Sequence, residues 1–207
     1  KLKKKNILKY KNKSLIEHTF ISAKKSKYLD RTIISTESRL IIKLAKRIGI
    51  EVPFIRPKSL SKDNIHASKV VYHALKRIKE KYNYVLLLQP TSPFRNSIDI
   101  DNCIKKIIFN KLKSLLSVYK TKDKGKFKVK LRKKKFIERD YTSSNSKGMN
   151  YFINGAIYIS EVKHFLKKKD FFSKKTGFYL MPKNKSLDID TLGDFKKLKR
   201  WEKLKFQ

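Results

Sequence analysis

Apolar positions along the chain change period several times, and each change marks an element. Over residues 14–26 ("SLIEHTFISAKKS"), Leu15, Ile16, Thr19, Phe20 and Ala23 recur at helical spacing behind a Ser14/Glu17 capping-box pair. A short β-branched run, "RTIIST" (31–36), predicts a strand. A second helix over 37–49 should stop at Gly49. "EVPFIRP" (51–57) is kept extended by its prolines, and 66–82 reads as a long amphipathic helix. "NYVLLLQ" (83–89) is a near-continuous apolar run, which predicts a strand covered on both faces. Helix over 97–111 and strand over 114–120 follow.

The rhythm then changes. Residues 126–139 alternate in a lysine-rich way and predict an exposed hairpin, followed by a polar loop over 140–150. "YFINGAIYIS" (151–160) predicts a strand interrupted at Asn154 and Gly155, where a bulge or a close ligand approach is expected. A short helix (161–168), a strand (177–182) and a strand end running into a terminal helix (186–204) complete the pattern. Alternating helices and strands predict an α/β sheet protein.

Composition changes this picture little. A length of 207 residues, 40% of them hydrophobic, suits one globular domain. No apolar run is long enough to span a membrane, and no signal peptide is recognisable at the start. The single cysteine, Cys103, excludes an intrachain disulfide and suits a reducing cytoplasm. Four scattered histidines offer no zinc-ligand spacing. The net charge of +37 invites a nucleic-acid reading. The basic clusters are nevertheless dispersed over several elements, and arginine supplies only nine of the 54 cationic residues. That is the pattern of A/T-rich coding and solvated lysine rather than of a concentrated binding stripe.

One segment carries candidate chemistry on its own. "LLLQPTSPFR" (86–95) runs a strand into a corner stiffened by Pro90 and Pro93, which would hold Gln89, Thr91 and Ser92 with little entropy left to lose. Ligands of open α/β sheets bind at such strand ends. An ordinary strand-to-helix loop, with Ser92 or Ser97 as cap, fits the residues equally well.

The segment resembles the signature of the acylneuraminate cytidylyltransferase (CMP-sialic acid synthetase) family, L-L-Q-P-T-S-P-L-R. The likeness continues in order along the chain. "KKKNI" (3–7) is similar to a lysine–asparagine element, "DRTIISTES" (30–38) to a strand ending in V-S-T-D, and "VPFIRP" (52–57) to V-P-F-x-R-P. "NGAIYI" (154–159) and "SLDIDTLGDF" (186–195) match N-G-A-I-Y-I and S-I-D-I-D-T-x-x-D-F.

The resemblance implies a single Rossmann-like, GT-A-like nucleotidyltransferase domain over 1–207 with a mostly parallel sheet. It also implies a hairpin insert at 126–150 that serves a homodimer. The implied activity is transfer of CMP from CTP to the anomeric hydroxyl of a nonulosonic acid such as N-acetylneuraminate, in the cytoplasm, for bacterial surface polysaccharide. Legionaminate and pseudaminate are the alternative sugars. A basic nucleic-acid-binding protein and an inactive remnant are the alternatives from other classes. Asp188 and Asp190 would hold Mg2+ or Mn2+ through hard oxygen ligands, their i, i+2 spacing on an extended segment allowing both to face one side. A helix-capping Asp190 is the plainer reading. Lys5, with Asp190, would be catalytic. Lys5, Asn6, Arg56 and Ser68 would meet the nucleotide, Ala67 being an equal candidate with Ser68. Gln89, Asn154, Tyr158, Phe171 and Phe172 would face the acyl sugar, although the Phe pair suits a plain core as well. The family's opening strand and its A-R-x-G-S-K phosphate loop have no counterpart ahead of "KKKNI", which reads as an N-terminal truncation. A gap is therefore expected between Ile33–Ile34 and Val85–Leu88.

Overall fold

The structure is a computed structural model that describes residues 2, 4–122, 127–140, 150–173 and 175–204. In chain order its elements are β1 (Lys9–Tyr10), β2 (Lys13–Ser14), α1 (Leu15–Lys24), α2 (Arg39–Arg47), α3 (Ala67–Arg77), β3 (Tyr84–Leu87) and α4 (Ser97–Phe109). Then come β4 (Ser114–Thr121), β5 (Lys128–Arg132), β6 (Phe136–Arg139), β7 (Asn150–Glu161), α5 (Val162–Lys168), β8 (Thr176–Leu180) and α6 (Leu192–Leu204). Among the described residues no helix is long and apolar enough to cross a membrane.

Local chemistry sets most boundaries. Ser14 and Glu17 close a reciprocal capping box at α1, the Ser14 amide reaching Glu17 Oε2 at 2.6 Å. Gly49 takes φ +71°, the left-handed conformation that ends a helix and suits glycine. Helix α3 stops at Arg77, short of the expected residue 82, because Ile78 turns extended. Tertiary contacts there outweigh helical propensity: Arg31 Nη1 draws in Glu80 at 2.8 Å, and Tyr82 lies against the same guanidinium.

The main sheet has the order β3-β7-β4-β8-β6-β5. The expectation of a mostly parallel sheet is corrected here: among the named strands only β4 and β8 run parallel, and every other pairing is antiparallel. Long β7 is the reason. It returns antiparallel between β3 and β4, whereas the parallel character is confined to β4–β8 and to single bridges Ile33–Glu51 and Thr36–Ile55. The expected hairpin is present, β5 pairing β6 antiparallel, but it is not separate from the main sheet. β5 and β6 are members of the sheet, β5 pairing β7 and β6 pairing β8, so Val129 and Ile137 are buried. Alternation places those two inward and the lysines outward. Residues 126 and 141–149 of the expected insert lie outside the described residues.

Two apolar layers cover the sheet. α4 brings Ile100, Ile104 and Ile107 to one layer, while Val71 of α3 and Phe165 of α5 join the other. Toward the N-terminal side the order loosens. No strand pairs with the second edge of β3 among the described residues, and residues 33–36 bridge only to 51–55. Between Ile33–Ile34 and Val85–Leu88 lies a cavity of about 700 Å³, covered on one side by Ile16, Phe20 and Ala23 of α1. It occupies the position of the expected gap. β3 is consequently half-buried along its whole length instead of being covered on both faces.

Candidate active site

The corner after β3 is fixed from three sides. Ser92 N–H closes a turn onto the Gln89 carbonyl (3.3 Å), and Ile189 N–H donates to the Thr91 carbonyl (2.9 Å). Arg95 is buried and donates through Nη1 to the carbonyls of Gln89 (3.2 Å) and Ala156 (2.9 Å). Thr91 and Ser92 are buried, so their hydroxyls do not face a cleft. The α4 cap is Asn96, in a capping box with Asp99, rather than Ser92 or Ser97.

The Ile189–Thr91 bond seats the segment carrying Asp188 and Asp190 against this corner. Asp190 does not cap α6. Thr191 and Asp194 close that end reciprocally, Asp194 N–H reaching Thr191 Oγ1 at 3.2 Å and Thr191 N–H reaching Asp194 Oδ2 at 2.9 Å. Asp190 is thereby left to pair with Lys5, Nζ to Oδ1 at 2.8 Å, while Leu2 N–H holds the Asp190 carbonyl at 3.2 Å.

Gly155 sits where these pieces meet. It has φ +75°, and β4 shifts register against β7 between Leu116 and Val118 to accommodate the bulge. A Cβ at Gly155 would lie 2.5 Å from Gln89 Oε1 and 3.8 Å from Asp188 Oδ2, so Gln89 and Asp188 flank one glycine. Tyr158 is drawn into the same group. Burial, and then the Asp188 charge, push its phenol up to about 12, so it stays protonated and can donate a hydrogen bond.

The structure therefore brings Gln89 and Asp188 together at Gly155, sets Tyr158 within reach of the Asp188 charge, and holds the Lys5–Asp190 pair on the same segment as Asp188. Asn154 is placed differently from its expected sugar-facing role. Its Nδ2 donates to Ser186 Oγ (2.9 Å), and its Oδ1 accepts from Ser117 Oγ (2.6 Å) and Ala156 N–H (3.1 Å). A buried amide in a bulge must satisfy itself within the protein, and this one does. Phe171 is buried against Phe165 and Tyr158, ring centroids 4.7 Å and 5.5 Å apart, which is a core position. Phe172 is half-buried under the Arg139 guanidinium, 4.4 Å from its ring centre.

Asn6, Arg56 and Gln89 line the 700 Å³ cavity. Arg56 donates through Nε to Glu37 (3.0 Å), and its backbone N–H is held by the Thr36 carbonyl (3.0 Å). Burial works to raise the Glu37 pKa, but hydrogen bonds led by Arg56 prevail and lower it. Of the two candidates at the start of α3, Ala67 lines the cavity, while Ser68 is buried with Oγ 2.8 Å from His66 Nδ1. Arg95 and Glu37 escape a motif-based reading. The available signals were an arginine closing a corner between two apolar elements, and a glutamate ahead of α2 with a rigid arginine nearby in space but far in sequence.

The fold is that of the α/β nucleotidyltransferases. It matches the solved structure of CMP:2-keto-3-deoxy-manno-octonic acid synthetase complexed with CTP at a TM-score of 0.76 and 10% identity, over 99% of this chain and 94% of that one. More narrowly, the chain belongs to the cytidylyltransferase family, whose model matches residues 1–206. It is 32% identical over 199 residues to the N-acylneuraminate cytidylyltransferase of Escherichia coli O18:K1:H7, covering 94% of this chain and 47% of that protein. It therefore spans about half the length of that relative. It is also 30% identical over 190 residues to the CMP-N,N'-diacetyllegionaminic acid synthase of Legionella pneumophila, covering 86% of this chain and 81% of that one.

Proposed function

We propose that this chain transfers CMP from CTP to the anomeric hydroxyl of a nonulosonic acid and releases pyrophosphate. The observation that carries the reading is the Lys5–Asp190 pair, borne on the same segment as Asp188, which meets Gln89 at Gly155. In this reading the sugar hydroxyl attacks the α-phosphorus of CTP and loses its proton to water, while the bond from the α-phosphorus to the oxygen bridging to the β-phosphate breaks and pyrophosphate leaves. The Lys5 ammonium sets a positive charge at the developing pyrophosphate. The Gln89 amide, lying over Gly155, orients the sugar. The Tyr158 hydroxyl, kept protonated, donates to a sugar or carboxylate oxygen. Arg56 and Asn6 meet the nucleotide.

Asp188 and Asp190 suit Mg2+ or Mn2+: they are two hard carboxylate donors on one segment, a number typical of sites completed by substrate phosphates. Among the described residues no group of three or more His, Cys, Asp or Glu could hold such an ion. Such an ion supplies charge neutralisation on the phosphates. A homodimer in the cytoplasm is part of the proposal, with Phe127, 71% exposed at the foot of the β5–β6 hairpin, as an apolar residue available to a second copy.

The test is Asp190→Asn, assayed for CMP-sugar formation from CTP and N-acetylneuraminate or a legionaminic acid. The expected result is a loss of at least about a hundredfold in kcat/KM, or close to 3 kcal/mol, with an unchanged circular dichroism spectrum. Activity within a few-fold of the parent would contradict the reading.

A further inference from the structure

Arg95 is the largest fully buried side chain of the described residues, 2% exposed, and it is only partly satisfied. Nη1 serves two carbonyls, Gln89 and Ala156, while Nε and Nη2 have no hydrogen-bond partner among the described residues. Its neighbour Asp99 lends a charge but spends its oxygens on Lys185 (3.2 Å), the Asn96 amide (3.0 Å) and Tyr179 (3.3 Å). Burial pulls the guanidinium down to about 10, so it remains protonated at neutral pH.

A buried cation with two idle donors is a poor stabiliser. An apolar side chain of similar length would often serve stability as well or better. What an apolar chain could not do is hold two particular carbonyls to one nitrogen. Those carbonyls belong to Gln89, at the end of β3, and to Ala156, directly after the Gly155 bulge of β7. They are the two backbone segments whose spacing decides where the Gln89 amide lies over Gly155 and Asp188. Ser22 of α1 fixes the arginine's own backbone, its Oγ donating to the Arg95 carbonyl at 2.8 Å. The clamp is thus anchored from a third element.

We propose that Arg95 is a positioning residue for the sugar side of the site, clamping the β3 corner to the β7 bulge so that Gln89 is held at the distance the acyl sugar requires. It acts through Gln89 and touches no substrate. The proposal rests on the sugar-binding reading of Gln89, and its test has an arm that does not.

Arg95→Met keeps the length and removes the clamp. The Gln89 carbonyl keeps its Ser92 partner, and the idle buried donors disappear, so Tm should stay within a few degrees of the parent. KM for the sugar acid should rise at least tenfold while KM for CTP stays within about twofold. Arg95→Lys, whose single ammonium can reach one of the two carbonyls, should recover part of the sugar KM. Independently of activity, hydrogen exchange in Arg95→Met should quicken at the amides of Gln89, Thr91, Ser92 and 154–157 and stay unchanged elsewhere in β4 and β7. Unchanged exchange at those two segments would overturn the proposal. So would a fall in Tm with both KM values shifted together and no recovery in Arg95→Lys, which is the signature of a merely structural residue. A parent that forms no CMP-sugar, with exchange quickened as expected, would uphold the clamp and sink only the sugar reading.

Discussion

The two sides of the β3 strand are built on opposite plans. On one side β7, β4 and β8 pair over long registers, and their inward residues Leu115, Leu116, Val118 and Ile157 are wholly buried. On the other side, residues 33–36 and 51–55 touch through two bridges, and a 700 Å³ cavity separates them from β3. The candidate site straddles this boundary. Gly155 and Tyr158 stand on the closely paired side, Asn6 and Arg56 on the open one, and Gln89, which lines the cavity, between them. The comparison teaches that Gly155 and Tyr158 are held by long strand pairings, whereas among the described residues 33–36 and 51–55 are held by few backbone bonds.

Matched truncations at two leucines measure this difference most strongly. Leu116→Ala empties a fully buried position and should cost about 2–5 kcal/mol by chemical denaturation. Leu86→Ala, at a half-buried position beside an existing cavity, should cost about 1 kcal/mol, because less apolar area is removed from contact. Equal costs would break the comparison.

A smaller effect is expected at the boundary itself. Gly155→Ala places a methyl 2.5 Å from Gln89 Oε1 at φ +75°. The left-handed backbone alone should cost about 1–3 kcal/mol. Displacement of the Gln89 amide should raise KM for the sugar acid and spare KM for CTP. Calorimetry together with steady-state kinetics separates the two consequences, and an unchanged sugar KM would detach Gln89 from sugar binding.

Much of this arrangement was legible in the residues. The Ser14/Glu17 box, the Gly49 stop and the break at Asn154–Gly155 are local signals, and local physics decides them. The Asp188/Asp190 pair and Gln89 also fall together, because the rigid corner and the "SLDIDT" segment join through one backbone bond, Ile189 to Thr91. What stayed illegible depends on partners distant in the chain. The apolar run 83–89 looks doubly covered because its composition cannot report an open cavity on one edge. The lysine-rich alternation of 126–139 announces the hairpin of β5 and β6 but not its attachment to the sheet, because the pairing of β5 with β7 and of β6 with β8 is nonlocal. Asn154 looks like a ligand contact because nothing local announces Ser117 and Ser186 as its hydrogen-bond partners. Asp190 could be read as a cap until Thr191 and Asp194 were seen to take that task.

Amide hydrogen exchange with and without CTP and Mg2+ tests the central claim most directly. The account predicts that without ligand the amides of 33–37 and 54–56 exchange fast and those of β4 and β7 slowly. CTP with Mg2+ should then slow exchange at 4–8, 33–37 and 54–56 by at least about tenfold, leaving 154–158 nearly unchanged until a sugar acid is added. Protection by CTP confined to 154–158, or no protection at any segment, would contradict it.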